Sequence, residues 1–144
     1  MITYTKSRDH ITPALMDLHW LPVEQRIQYK VALYAYKALN DSAAPKYLSD
    51  LVTPYIPARS LRSSTLNQVV QQPAKTRWGD RSFSVASARI WNNLPLSIRS
   101  SKSIKSFKKN LKTHLFQSTY VSFIINLFSA GAMGVNLVYI GIMT

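Results

Sequence analysis

The chain has 144 residues, of which 47% are apolar, and this is enough to form one ordinary domain with a packed core. It carries 18 Lys and Arg against 6 Asp and Glu, and the formal charge of +12 favours a polyanionic partner such as nucleic acid or an anionic membrane surface. Because there is no cysteine, disulfides, thiolate zinc sites and thiol nucleophiles are excluded.

Residues 1–58 are nearly neutral and are predicted to form three helices. The polar start, residues 1–10, lacks the apolar stretch of a secretory signal. Thr12 is predicted to cap a short helix that reaches Leu18, with Pro13 at its first position. A longer helix is predicted from about Pro22 to Leu39, and Pro45 can open a third. Three- and four-residue spacing predicts their apolar faces: Val23, Ile27, Val31, Tyr34, Ala35 and Ala38 in the longer helix, and Tyr47, Leu48, Leu51 and Val52 in the third.

Residues 59–112 hold most of the positive charge, with 12 basic residues opposed only by Asp80. The polar stretch from Arg59 to Thr76 is predicted to be a long loop, with room for a short strand at Gln68–Gln71. Helical spacing then runs from Phe83 to Leu94, where Pro95 stops it. Ser103 can cap a last, strongly basic helix, whose apolar stripe is predicted to consist of Ile104, Phe107, Leu111 and Leu115.

No Asp, Glu, Lys or Arg occurs after Lys112. Tyr120 to Met143 is a run of 24 uncharged residues, and a helix of this length could cross a bilayer core of about 30 Å. Two asparagines and three glycines in the run weaken the apolar signal for insertion. The predicted organisation is a basic helical domain over residues 10–117 and a hydrophobic tail, a candidate membrane segment, over residues 118–144.

The residue types that most catalytic and metal sites need are scarce. There is no glycine-rich phosphate loop, no His-Glu-x-x-His and no Asp-Asp pair, and His10, His19 and His114 stand at no ligand-like spacing. Isolated histidines of this kind are usually structural, since a real site brings several residue types together. The sequence therefore predicts no catalytic residue, no metal, no cofactor and no small-molecule substrate.

Six segments in order resemble the region downstream of the polymerase in non-LTR (LINE-type) retrotransposon reverse transcriptases, of the CR1 and L2 type. They are His10 to Val23, Tyr36 to Asn40, Ala44 to Leu51, Arg59 to Ser64, Gly79 to Arg99 and Phe107 to Phe116. The best match is Gly79 to Arg99, in which Ala88 replaces a proline common in the family and should lengthen the helix before Trp91. The uncharged run after Tyr120 has no counterpart in that pattern.

The resemblance implies an accessory part of a retroelement polymerase whose catalytic domains are absent. In such proteins an endonuclease and a reverse transcriptase, both upstream, carry the chemistry, the latter through paired aspartates that hold two metal ions. The expected role is to hold RNA or DNA, in the nucleus or cytoplasm. Two alternatives stay open: a small protein anchored in a membrane by Tyr120 to Met143, and a relic with no selected function.

Basic residues of the second region are the candidate contacts to RNA or DNA phosphates, because their charges are of one sign. They are Arg81, Arg89, Arg99, Lys102, Lys105, Lys108, Lys109 and Lys112. Of the tryptophans, Trp20 and Trp91 are flanked by apolar residues and prolines and are predicted to pack in the core. Trp78, in the basic loop, is the candidate for stacking on a base.

Overall fold

The chain folds as a mainly helical domain, which confirms the fold class predicted from the sequence. The structure is a computed structural model, and it describes residues 8, 10–41, 43–57, 59 and 67–129. Its described helices are α1 (Thr12–Asp17), α2 (Val23–Asn40), α3 (Lys46–Ser49), α4 (Phe83–Asn93), α5 (Leu96–Arg99) and α6 (Ile104–Ser129), with a 3-10 turn at Gly79–Arg81 before α4. Within these described ranges there is no β-strand.

Helix α2 forms the centre of the domain, where it packs against both α4 and α6. The core between these helices is aromatic: Trp91 and Phe107 are fully buried, and the ring of Tyr36 stacks on Phe107 with 4.3 Å between centroids. Burying a large apolar side chain contributes about 1.5–3 kcal/mol, and aromatic pairs add about 0.5–1.5 kcal/mol. The three side chains therefore hold α2, α4 and α6 together, and the predicted burial of Trp91 is confirmed.

The predicted apolar face of α2 is buried only in part. Val23 and Ile27 are 70% and 59% exposed, and Tyr34 is also exposed. Ala35, on the predicted face, is 0% exposed, but the buried side also includes Ala32, 0% exposed, and Tyr36, which were not predicted. Helical spacing is compatible with either side, so the period does not choose between them. Small alanines allow neighbouring helices to approach closely, and they share the core cluster with Ala88 of α4.

The short helices α1 and α3 also differ from the predictions in detail. Thr12 is the first helical residue rather than the cap. Ile11 occupies the cap position without a side-chain hydrogen bond of its own, and the Thr12 amide donates to Nδ1 of His10 at 3.3 Å. Pro45 opens α3 as predicted. The residues of its predicted apolar side differ in burial: Val52, which follows the helix, is 2% exposed, whereas Tyr47 is 68% exposed.

Proline at position 95 ends α4 and begins α5, a short helix that the sequence reasoning did not predict. The carbonyl of Pro95 accepts hydrogen bonds from the amides of Ile98 and Arg99 at 3.0 and 3.2 Å. Helix α4 itself runs without a break through Ala88, as expected for an alanine in a helix interior.

Side chains of α4 and α5 hold the end of the long loop. The Asn92 side-chain amide exchanges two hydrogen bonds of 2.9 Å with the backbone of Val69, and the Trp91 indole donates to the Asn67 carbonyl at 2.9 Å. On its other side Val69 forms an isolated antiparallel bridge with Pro54. This single bridge stands where the sequence left room for a strand at Gln68–Gln71.

Helix α6 passes without interruption through residue 117, the predicted end of the basic domain. Tyr120 is 3% exposed, and its hydroxyl donates to the backbone carbonyl of Trp20, so the packed part of the chain reaches at least this residue. None of the described helices has both the length and the apolar character needed to cross a membrane. Residues 130–144 of the predicted tail lie outside the described residues.

Candidate nucleic-acid interface

The start and the orientation of α6 are fixed by a cap and by its apolar stripe. The Ser103 hydroxyl accepts a hydrogen bond from the Ser106 amide at 3.2 Å. The backbone carbonyl of Ser103 accepts one from the Phe107 amide at 2.9 Å. Phe107 and Leu111 are 0% exposed and Leu115 is 6% exposed, so the predicted stripe is confirmed. Between Lys105 and His114 the remaining positions of the helix carry polar side chains.

Four lysines lie on one side of this exposed surface, and we call them the lysine row: Lys105, Lys108, Lys109 and Lys112, all exposed. With about 100° between successive residues of a helix, they fall within an arc of about 100°. The sequence has no acidic residue after Asp80, and no carboxylate in the described residues lies within 4.0 Å of a row lysine. The row is therefore a rigid line of unpaired positive charge.

A groove opens beside the last lysine of the row, between α6 and the connection from α1 to α2. Its volume is about 350 Å³, and it is lined by His19, Trp20, Leu21, Arg26, Tyr29 and Lys112. Two cations thus border a mainly aromatic surface. Burial raises the pKa of the Tyr29 hydroxyl, so this residue stays neutral at physiological pH.

Trp20 is not a core residue, which corrects the sequence prediction. It is 53% exposed. The chain reverses at His19, whose φ of 52° is in the left-handed region, and the His19 ring stacks on Phe116 with 5.6 Å between centroids. The reversal is thus covered by histidine, while the adjacent indole faces the groove and solvent. The only sequence signal for this exposure is the position of Trp20 in a Trp-Leu-Pro connection between two helices.

Trp78, predicted as the candidate stacking residue, is 79% exposed in the loop before α4. The guanidinium carbon of Arg81 lies 5.6 Å from the centroid of its ring, a cation–π distance. Arg89 is also exposed and lies 4.0 Å from Asp80, at the limit of an ion pair. Arg81 and Arg89 thus belong to a second basic patch near the 3-10 turn, separate in sequence from the lysine row.

Arg99 is not on the exposed surface, although the sequence grouped it with the surface cations. It is 6% exposed, and one of its terminal nitrogens donates to the Asn67 carbonyl at 3.2 Å. Burial lowers the pKa of its guanidinium, because desolvation penalises the charged form. Lys102, the eighth predicted contact, is exposed in the connection between α5 and α6.

The described residues contain no cluster of three or more His, Cys, Asp or Glu side chains that could hold a metal ion. His19 is used in ring stacking, as a structural histidine would be. Comparison with known proteins finds no matching family model, no similar curated protein and no similar solved structure.

Proposed function

We propose that this chain is a non-catalytic nucleic-acid-binding module that holds the phosphate backbone through the lysine row. The observation that supports this best is the one-signed, unpaired charge along α6. Solvated helix faces usually alternate in sign, whereas a row of cations on a rigid helix can neutralise successive phosphates and release their counterions. Such contacts fix position without reading the sequence, so RNA and DNA are both acceptable partners.

The groove beside Lys112 supports a second element of the same function, the stacking of an unpaired base on Trp20. Proteins that hold single strands combine a positive track for the backbone with aromatic rings for the bases. Here Arg26 and Lys112 flank the exposed indole. A strand that follows the lysine row towards the C-terminus of α6 would reach Trp20 at its end.

The resemblance of six ordered segments to the tail of LINE-type reverse transcriptases agrees with this proposal. We propose that the chain corresponds to such a tail, acting beside a polymerase that supplies the chemistry. In that setting its role is to hold template RNA or target DNA, in the nucleus or the cytoplasm.

The lysine row is tested by the salt dependence of binding. Fluorescence anisotropy with a labelled duplex at several salt concentrations gives the slope of log affinity against log salt, which is about −0.9 per phosphate contact. Changing Lys105, Lys108 and Lys109 to Gln should flatten the slope by up to about 2.7. The matched control changes Lys30, Lys46 and Lys75 to Gln, three exposed lysines outside α6.

Equal effects of the two triple variants would mean that net charge alone drives binding, and the proposed interface would be wrong.

The stacking element is tested with a single-stranded oligonucleotide and with Trp20→Ala and Trp20→Phe. Base stacking contributes about 1–3 kcal/mol per base, so Ala should weaken binding about 5- to 150-fold while Phe keeps most of the affinity. If both variants bind like the unmodified chain, the base does not lie on Trp20.

A further inference from the structure

A polar cleft lies where the C-terminal end of α2, helix α5 and the start of α6 meet. Its volume is about 500 Å³, and its lining includes Lys37, Asn40, Arg99, Ser101 and Lys102. Clefts of about 300–1,000 Å³ are the usual size for small-molecule ligands. The cleft is thus large enough for a phosphate group and for the nucleoside that could carry it.

Arg99 gives the wall of this cleft a buried positive charge. It is 94% buried, and no carboxylate of the described residues lies within ion-pair distance of it. One terminal nitrogen donates to the Asn67 carbonyl, but Nε has no hydrogen-bond partner among the residues described. Buried charges are normally paired, because an unpaired one loses its hydration without compensation. Among the described residues, no negative group compensates the charge of Arg99.

The remaining lining has the charge and the polar atoms that an anion needs. Lys37 and Lys102 add two cations, and Asp41 is the acidic residue of the lining; its Oδ1 already accepts the Ala43 amide at 3.0 Å. Together with Arg99, the charged side chains of the lining have a net charge of +2. The buried Ser101 hydroxyl has no hydrogen-bond partner in the described structure. The cleft also borders the start of α6, where the helix dipole favours negative charge.

We propose that this cleft binds a phosphate group, with Lys37 and Lys102 contacting it from the rim and Arg99 supplying positive charge from the wall. The phosphate is either free or the 5′-phosphate of a nucleotide, since both present the same dianion, and the titration below distinguishes the two. The inference does not depend on nucleic-acid binding by the lysine row, because its ligand is small and its cleft is lined by different lysines.

The test is a titration of the full chain with inorganic phosphate, adenosine 5′-monophosphate and adenosine at constant ionic strength. Isothermal calorimetry gives the affinities, and amide NMR shifts locate the site. We expect phosphate and the nucleotide to bind and adenosine not to bind, with shifts at Asn40 and at residues 100–102. Tighter binding of the nucleotide than of phosphate would identify the nucleotide as the source, and equal affinities would identify free phosphate.

Replacing both rim lysines, Lys37→Ala with Lys102→Ala, should weaken phosphate binding at least about tenfold, which is about 1.4 kcal/mol. The matched control is Lys30→Ala with Lys75→Ala, which removes the same charge at two exposed lysines outside the cleft and outside the lysine row. Equal losses in the two variants, shifts confined to α6 beyond residue 104, or no phosphate binding would each overturn the proposal. The rim variants leave Arg99 in place, so the buried guanidinium and its bond to Asn67 are kept.

Discussion

Replacing Asn92 with Ala should destabilise the domain strongly, because this one side chain satisfies two buried backbone groups. Val69 is 3% exposed, and its amide and carbonyl both face Asn92 at 2.9 Å. The bridge to Pro54 does not satisfy them, since its hydrogen bonds join Tyr55 to Gln68 and Val70 to Thr53. Neither Val69 group therefore keeps a partner in the variant.

Leaving a buried polar group without a partner costs about 1–3 kcal/mol, so the loss of both bonds should cost about 2–6 kcal/mol. This is a large part of the roughly 5–15 kcal/mol that stabilises a typical domain. For a chain of this size the midpoint of thermal unfolding should fall by roughly 10 °C. Urea unfolding followed by circular dichroism gives the free energy of unfolding directly. The matched control is Asn93→Ala, at the exposed last residue of α4, which should change this free energy by no more than about 0.5 kcal/mol.

Asn92→Asp separates the hydrogen-bond explanation from a simple loss of packing. One carboxylate oxygen can still accept from the Val69 amide, but the other faces the Val69 carbonyl, which repels it. This repulsion raises the folded-state pKa of the new carboxyl, so the Asp variant should become more stable, relative to Ala, as the pH falls through that pKa. A loss below about 1 kcal/mol for Asn92→Ala, or an Asp variant without this pH dependence, would refute the reasoning.

Two further predictions follow from buried tyrosines. Tyr36→Phe removes the 2.9 Å hydrogen bond to the Ser101 carbonyl but keeps the stack on Phe107, so chemical denaturation should show a loss of about 1 kcal/mol, and no loss would contradict the bond. Burial raises the pKa of Tyr120, whose unfolded value is about 10.0, so the unfolded chain releases this proton first and stability should fall as pH rises above 10. Urea unfolding between pH 9 and 11 should show a smaller decrease for Tyr120→Phe, with Tyr47→Phe as the exposed control; equal decreases would contradict the assignment.

The sequence alone determined the features that depend on local spacing and on charge. The cap at Ser103 and the stripe of Phe107 and Leu111 are set within a few residues, so α6 and its buried side could be predicted. With that side known, the positions of the row lysines on the opposite surface follow from helix geometry. The burial of Trp91 was also predicted, from its apolar and proline neighbours, but the same argument was wrong for Trp20, so such neighbours do not determine burial.

Only the tertiary structure decided where on α2 the buried side is centred and which partners single polar side chains contact. Ala32 and Ala35 are buried because α4 and α6 pack on that side, and a helical period does not reveal the neighbour. The exposure of Trp20, the pairing of Asn92 with Val69 and the burial of Arg99 likewise join residues of different elements. Such contacts depend on how helices and loops pack in three dimensions. The residue pattern of one segment carries no information about which other segment packs against it.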